Sequence, residues 1–169
     1  MNSETNGIEK LLTMIRDIKF TMLTTVASDG TIHSRPMGTL KTDPEHFEGS
    51  LWFFSRKNSL KNDELKSDQH VNLVYTDPDK KRYVSVCGWA SISEDKKKMK
   101  ELWTNELKSW FPEGLNDPEI SLISVRPESA EIWDAPPGKL IQLLRFVKST
   151  VTGKPFHQKN ESEHIQLSH

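Results

Sequence analysis

The first apolar positions of the chain recur at steps of three and four residues, which is typical of one face of an amphipathic helix. The members of this stripe are Ile8, Leu11, Leu12, Ile15 and Ile18. Ser3 precedes the stripe and is a candidate N-cap. The pattern therefore predicts a helix at the start of the chain.

From Phe20 onward the pattern becomes that of β-strands. The run FTMLTTVA is rich in β-branched and aromatic residues and ends at Ser28-Asp29-Gly30, a hairpin signal. Further strands are predicted at residues 31–40, 51–55, 70–76, 82–93, 120–125 and 130–133. Pro36 predicts an edge strand or a distortion, the apolar run LWFF predicts a strand buried on both faces, and Gly88 predicts a bulge.

Three further helices are predicted. A short one starts near Asn58 or Ser59, a second spans Glu94–Lys108, and a last one spans Lys139–Val151, after the strands. Six or seven short strands with peripheral helices predict the α+β class, with an antiparallel barrel. Residues 1–153 are expected to form one domain. Residues 154–169 are polar with few large apolar side chains and are expected to be a disordered tail.

Composition and charge exclude several classes of function. The formal net charge is −1 at pH 7, so no attraction to nucleic acid or to a membrane is expected. Cys87 is the single cysteine, which excludes an intramolecular disulfide. His33, His46 and His70 lack metal-ligand spacing among themselves or with Cys87, so no metal site is expected. No signal peptide and no run of about 20 apolar residues is present, so we expect a cytoplasmic protein.

Four stretches carry a resemblance to a known family: FTMLTTVASDGTIHSRPM, LWFFSRKNSLKNDEL, VNLVYTDPDKKRYVSVCGWASI and SAEIWDAP. Their order and spacing resemble the pyridoxamine 5′-phosphate oxidase-like superfamily, and within it the general stress protein 26 group. The resemblance spans roughly Glu9 to Lys154. It implies an antiparallel split β-barrel that forms a homodimer and binds FMN at the dimer interface.

The resemblance also implies a phosphate site. Ser55, Lys57 and Asn58 would hold the phosphate of FMN, because they combine a hydroxyl, a cation and the amides of a helix start. Arg35, in the stretch Ser34-Arg35-Pro36-Met37, would reach the same phosphate, and strand alternation places Arg35 and Met37 on one face. The alternatives are a solvated helix N-terminus at 55–59 and a surface edge residue at Arg35.

Aromatic residues are candidates for contact with the flavin ring. The resemblance implies that the backbone of Phe53 and Phe54 borders the ring, although at least one of these side chains is expected in the core. Trp103, Trp110 and Trp133 are candidates to cover the ring from the second subunit. For Trp103, packing of a helix onto the core is an equal alternative, because aromatic residues at helical spacing are usually buried for their area.

The function implied is that of a flavin-dependent oxidoreductase linked to stress response, acting on a small-molecule redox substrate. No residue stands out as a general acid or base, and the flavin itself would carry the redox chemistry. The alternatives are a non-catalytic FMN-binding or redox-sensing stress protein, or the same fold with a deazaflavin or haem. Genuine pyridoxamine 5′-phosphate oxidase activity is not expected, because Arg145 is the last arginine and the family enzyme uses an arginine on a C-terminal strand.

Overall fold

The computed structural model describes residues 3–40, 42, 44–134 and 163–167. The helices are α1 (Ser3–Ile15), α2 (Leu60–Ser67) and α3 (Lys96–Leu102), with 3-10 turns at Pro44–His46, Asn105–Ser109 and Gly114–Asn116. The strands are β1 (Phe20–Val26), β2 (Ile32–Gly38), β3 (Leu51–Arg56), β4 (His70–Asp77), β5 (Arg82–Ser93), β6 (Ile120–Asp134) and β7 (Glu163–Gln166). The predicted helix at 139–151 lies outside the described residues.

The strands form one antiparallel sheet in the order β2-β1-β4-β5-β6-β3, and β7 also pairs with β6. The sheet curls because β2 and β3, which stand at opposite ends of this order, approach each other. The predicted α+β class and antiparallel split barrel are therefore confirmed. β2 is an edge strand, as Pro36 predicts, since a proline cannot donate a backbone hydrogen bond to a further strand.

β6 is one long strand, so the prediction of two separate strands at 120–125 and 130–133 is wrong. Its first half pairs with β3, its second half pairs with β7, and β5 lies along its whole length. The predicted bulge is present, because the register shifts between Cys87 and Gly88. A Cβ atom at Gly88 would stand 2.3 Å from the carbonyl oxygen of Arg126, so the two backbones approach here too closely for any side chain.

The main core lies between α1 and the inner face of the sheet. The apolar stripe of α1 is buried there, with Leu11 at 0% and Leu12 at 1% exposure. A second, smaller cluster forms around Phe54, Met99 and Phe111, on the other side of β3. β3 is therefore packed on both of its faces, as the LWFF run predicts.

The predicted helix over Glu94–Lys108 is shorter in the structure. α3 starts after Asp95, whose side chain accepts hydrogen bonds from the amides of Lys97 and Lys98, and ends at Leu102. Trp103 and Thr104 are extended, and a 3-10 turn follows. This break turns the Trp103 ring against Phe54 in the second cluster, a tertiary contact that outweighs the local helical pattern.

β7 lies inside the segment that was predicted to be a disordered tail, and that prediction does not hold for residues 163–167. Ile165 pairs with Ala130 of β6 and packs on the main core. Leu167 is 9% exposed, and its amide donates to the carbonyl of Glu128. The second half of β6 offers a free edge beyond β3, so even a short polar strand gains backbone hydrogen bonds there.

Candidate functional site

The two faces of β2 separate the residues of the predicted Ser34-Arg35-Pro36-Met37 stretch. Arg35 and Met37 point inward, Arg35 half-buried and Met37 at 6% exposure, together with His33. Ser34 and Pro36 are exposed on the outer face, where the Ser34 hydroxyl lies 2.7 Å from that of Thr24. The shared face of Arg35 and Met37 agrees with strand alternation, and it leaves Ser34 and Pro36 on the opposite side of the sheet.

Arg35 is held in place by a buried carboxylate on α2. Its Nη2 donates to Oε2 of Glu64 at 2.8 Å, and its Nη1 donates to the hydroxyl of Thr25. The Thr25 hydroxyl donates to the same Glu64 oxygen, while Nδ1 of His33 lies 2.6 Å from Oε1. The Glu64 side chain is 3% exposed.

These contacts keep Glu64 ionised. Burial raises the pKa of Glu64, but the hydrogen bonds from Thr25, His33 and Arg35 together outweigh it and hold the pKa below its ordinary value. A buried carboxylate is stable only when it is paired in this way. Glu64 therefore fixes the guanidinium of Arg35 against the inner face of the sheet.

A second cation, Lys61, lies beside Arg35 at the start of α2. Its Nζ donates to the hydroxyl of Ser59 at 3.0 Å. Burial lowers the pKa of Lys61, and the nearby positive charge of Arg35 lowers it further, against a smaller opposing effect of Glu64. Two cations that repel each other in a half-buried position are a donor set that suits an anion.

The start of α2 adds backbone donors to this pair. The first intrahelical bond is donated by the amide of Asn62 to the carbonyl of Ser59. The amides of Leu60 and Lys61 therefore precede the hydrogen-bonded turns, and the Ser59 side chain does not cap them. We call Arg35, Lys61, Ser59 and these two amides the anion cradle. Its combination of cations, a hydroxyl and helix amides fits a phosphate group.

Of the residues predicted to hold the phosphate, Ser55, Lys57 and Asn58 show no contact with Arg35 among the described residues. Ser55 is 3% exposed, and its hydroxyl donates to Oδ1 of Asn62, so it attaches α2 to β3. Lys57 donates to Oε2 of Glu94 at 2.7 Å, and Asn58 is exposed. The contacts of Ser55 and Lys57 do not bring them to Arg35.

Arg56 faces the second aromatic cluster. Its Nη2 donates to the carbonyl of Trp110 at 2.7 Å, and its guanidinium lies 5.2 Å from the ring centroid of Phe111. Asp117 lies 3.8 Å away as an ion partner. This side chain therefore holds the loop that follows α3, and makes no contact with the anion cradle among the described residues.

The aromatic candidates separate into core and surface residues. Phe53 is 1% exposed in the main core. Phe54 packs edge-to-face on Trp103, with ring centroids 5.6 Å apart. Trp110 and Trp133 are exposed, at 64% and 36%. Trp133 lies on the outer face of the sheet, opposite Tyr83 of β5, so it could meet a ligand of the inner face only from another subunit.

Three residues of the site were missed in the sequence: His33, Lys61 and Glu64. Lys61 carried a usable signal, because a cation in the first turn of a helix opposes the helix dipole and is unfavourable unless an anion binds there. Glu64 lies three residues further along the same short helix and so shares its face. No local pattern indicated His33, since its partner is distant in sequence.

Two other kinds of site find no support in the described part of the chain. No three His, Cys, Asp or Glu side chains there are grouped to hold a metal ion. None of the helices in that same part combines the length and the apolar character that a membrane crossing needs.

Comparison with known proteins identifies the family. The sequence model described as "Pyridoxamine 5′-phosphate oxidase like" matches residues 6–157. The chain belongs to the pyridoxamine 5′-phosphate oxidase-like family. This match agrees with the resemblance of the four stretches, and it places the anion cradle within the family's shared region.

Individual known proteins are similar to this chain along most of its length. Protein bli-3 of Neurospora crassa is 29% identical over 157 residues, which cover 88% of this chain and 74% of that protein. The crystal structure of General Stress Protein 26 from Bacillus anthracis is 27% identical, with a TM-score of 0.63, and covers 74% of this chain and 92% of its own.

A further structure, the general stress FMN/FAD binding protein of Xanthomonas citri, has a TM-score of 0.67 at 22% identity, and covers 79% of this chain and 92% of its own. At this identity the likeness shows the shared fold. Stress-protein structures therefore recur among the neighbours of this chain.

Proposed function

We propose that this protein binds FMN, with the phosphate in the anion cradle. The observation that carries the proposal is the pair Arg35 and Lys61, two cations held side by side although burial, and then the charge of Arg35, lower the pKa of Lys61. A dianionic phosphate would turn this repulsion into attraction. The similarity to the general stress FMN/FAD binding protein of Xanthomonas citri supports a flavin as the phosphate carrier.

In this proposal each residue of the cradle has a separate task. Arg35, oriented by Glu64 and Thr25, presents its remaining donors to one side of the phosphate. Lys61 and Ser59 approach from α2, where the amides of the first turn point the same way. Because the cations come from two elements joined by an ion pair, the cradle exists before the ligand arrives.

The ring is proposed to extend from the cradle along the inner side of β2 toward Met37. Met37 shares the face of Arg35 two residues further on, a distance of about 7 Å along a strand. β3, with Phe53 and Phe54, approaches β2 across the split of the barrel. An apolar side chain and two strand backbones would supply the flat walls and hydrogen bonds that a flavin ring needs.

We further propose a homodimer formed through the outer face of the sheet. Exposed large apolar side chains of this face include Phe20 at 55%, Tyr83 at 43%, Met22 at 40% and Trp133 at 36%. They share one face because Met22 pairs with Val74, which pairs with Ser85, two residues from Tyr83. An apolar group of this kind on a sheet face is typical of an interaction site.

The bound flavin would supply electron or hydride transfer, and we propose that the protein uses it as an oxidoreductase for a small molecule in stress response. The chain's part is to bind the phosphate and to hold the ring between β2 and β3. The stress-protein relatives in the family support this assignment. The alternative is a flavin-binding sensor without turnover, and the reoxidation experiment described below separates it from an enzyme.

The test is a titration of the purified protein with FMN and, separately, with riboflavin, which lacks the phosphate. Retention of FMN after removal of the excess, with much weaker retention of riboflavin, is the expected result. Arg35→Gln should lose FMN, whereas Arg126→Gln, a matched change at an exposed arginine of β6, should retain it. Equal affinity for both ligands would exclude the anion cradle, and titrations with a deazaflavin and haem would follow.

Reduction and reoxidation of the bound flavin then distinguish enzyme from sensor. An enzyme should show reoxidation of reduced flavin that accelerates with added electron acceptors and saturates with their concentration. A flavin-binding protein without turnover should show only slow background reoxidation at every acceptor concentration. Sedimentation of the FMN-loaded protein tests the dimer, and a monomer with FMN fully bound would contradict it.

A further inference from the structure

His33 and Arg35 both contact the carboxylate of Glu64. A site that only binds a phosphate does not require the contact with His33. Oε1 of Glu64 lies 2.6 Å from Nδ1 of His33, while Oε2 accepts from Nη2 of Arg35 at 2.8 Å. The His33 side chain is 40% exposed, whereas that of Glu64 is 3% exposed. A proton can therefore reach the imidazole from solvent. The added charge then interacts with the carboxylate of Glu64, which is buried and not screened by solvent.

The formal charge around the cradle depends on this histidine. Arg35 and Lys61 contribute two positive charges and Glu64 one negative charge, so the sum is +1 with neutral His33 and +2 with protonated His33. Asp29, in the β1–β2 turn, is the other charged group that interacts with His33, and it is fully exposed. Solvent screening weakens its influence relative to that of Glu64.

We propose that His33 is a positioning residue that couples phosphate affinity to pH through Glu64. When His33 takes up a proton, Glu64 gains a second positively charged partner, at Oε1. Glu64 then neutralises less of the positive charge of Arg35. Arg35 then offers more of that charge to the phosphate. This inference rests on the proposed function, because it concerns the same cradle, and it adds a regulation that the family match does not include.

The direction of the effect follows from the charges. Histidine side chains titrate between about pH 5 and pH 8, so lowering the pH across this range should strengthen phosphate binding through His33. The phosphate has an opposing effect of its own, because its second ionisation lies near pH 6 and its charge decreases as the pH falls. The opposing effect belongs to the ligand and is the same for every variant of the protein.

The experiment therefore compares variants at two pH values. FMN and riboflavin dissociation constants are measured at about pH 8 and about pH 6, two values within the range of histidine titration, for the wild type and for His33→Gln. Glutamine retains a hydrogen bond to Glu64 but cannot gain charge. His70→Gln is the matched control, because His70 also contacts a carboxylate, Asp68, but lies on the outer face of the sheet.

The quantity compared is the ratio of FMN affinity at the lower pH to that at the higher pH. We expect this ratio to be about three- to fivefold larger in the wild type and in His70→Gln than in His33→Gln, the scale of a partly exposed ion pair. Riboflavin should show no difference between the variants. Glu64→Gln should reduce the ratio as His33→Gln does, and if it does not fold, the His33→Gln comparison decides alone.

Two outcomes separate this inference from the proposed function. Equal ratios in the wild type and in His33→Gln, with FMN bound by both, would overturn the coupling and leave FMN binding intact. A wild-type protein that binds FMN at neither pH would overturn the proposed function, and the coupling with it.

Discussion

Lys61 and Lys57 allow two candidate phosphate sites to be compared. Lys61 belongs to the anion cradle, and Lys57 is the phosphate ligand predicted from the sequence. The two lysines lie four residues apart around the start of α2. Lys57 donates to the exposed carboxylate of Glu94, while Lys61 is half-buried beside Arg35. The perturbation is the same for both, a change to alanine.

The expected magnitudes differ because the surroundings differ. A charge-assisted contact with a phosphate contributes about 2 kcal/mol when it is shielded from water, so Lys61→Ala should raise the dissociation constant of FMN about 30-fold. Lys57 is 32% exposed and its partner Glu94 is 59% exposed. Lys57→Ala should therefore cost less than about 0.5 kcal/mol in FMN affinity.

The assay is quenching of flavin fluorescence on titration into each variant, with riboflavin as the ligand that lacks a phosphate. Riboflavin affinity should be the same in both variants and in the wild type. The free energy of unfolding without ligand should also stay within about 0.5 kcal/mol, because the side-chain hydrogen bond of Lys61 among the described residues goes to the Ser59 hydroxyl and not to a carboxylate. A larger loss of FMN affinity in Lys57→Ala than in Lys61→Ala would refute the cradle and restore the predicted phosphate ligand.

Three further changes test the fold and the surface. Gly88→Ala should lower the free energy of unfolding by about 2–4 kcal/mol in denaturant titrations, because the new Cβ atom meets the backbone of Arg126, whereas Gly38→Ala, with open space around it, should be nearly neutral. Glu64→Gln should cost about 2 kcal/mol at neutral pH. Because the pKa of Glu64 is depressed in the folded state, its contribution is present above the unfolded pKa and is lost as the pH falls through the folded pKa, so acid should destabilise the wild type more steeply than this variant. Trp133→Arg should convert the proposed homodimer to monomers in sedimentation, and an unchanged dimer would place the interface elsewhere.

Much of the fold was predictable because its signals are local. Strand alternation in β1, the hairpin at Gly30, with its positive φ of 84°, and the bulge at Gly88 each depend on a few adjacent residues. Pro36 marked β2 as an edge strand for the same reason. Where one or two residues determine the backbone, a single sequence is sufficient.

The parts that were missed depend on partners distant in the chain. The two predicted strands merge into β6 because β5 supports the whole of its length. β7 forms because the second half of β6 has an edge that is free for pairing. The polar sequence of β7 does not by itself indicate this pairing. α3 ends early because Trp103 packs on Phe54. In each case a tertiary contact outweighs the local propensity.

The phosphate site stays a prediction, and the structure brings only some of its predicted residues together. Arg35 and Met37 follow from strand alternation, and the structure places them on one face. Lys61 was passed over for Lys57 because both are lysines near a helix start, and only the fold shows which of them lies beside Arg35. A sequence cluster of cations, hydroxyls and a helix start therefore indicates the class of ligand. It does not by itself indicate which of these residues contact the ligand.

The buried carboxylate of Glu64 explains how the cradle can exist in a folded chain without ligand. Arg35 and Lys61 repel each other, and half-buried cations without a counter-ion would be costly. Glu64 offsets most of this cost by pairing with Arg35. The same pairing must weaken the attraction of Arg35 for a phosphate, so stability and affinity oppose each other at this carboxylate. In the coupling proposed above, His33, which contacts Glu64 through Nδ1, is the residue at which that opposition is adjusted without a change in the fold.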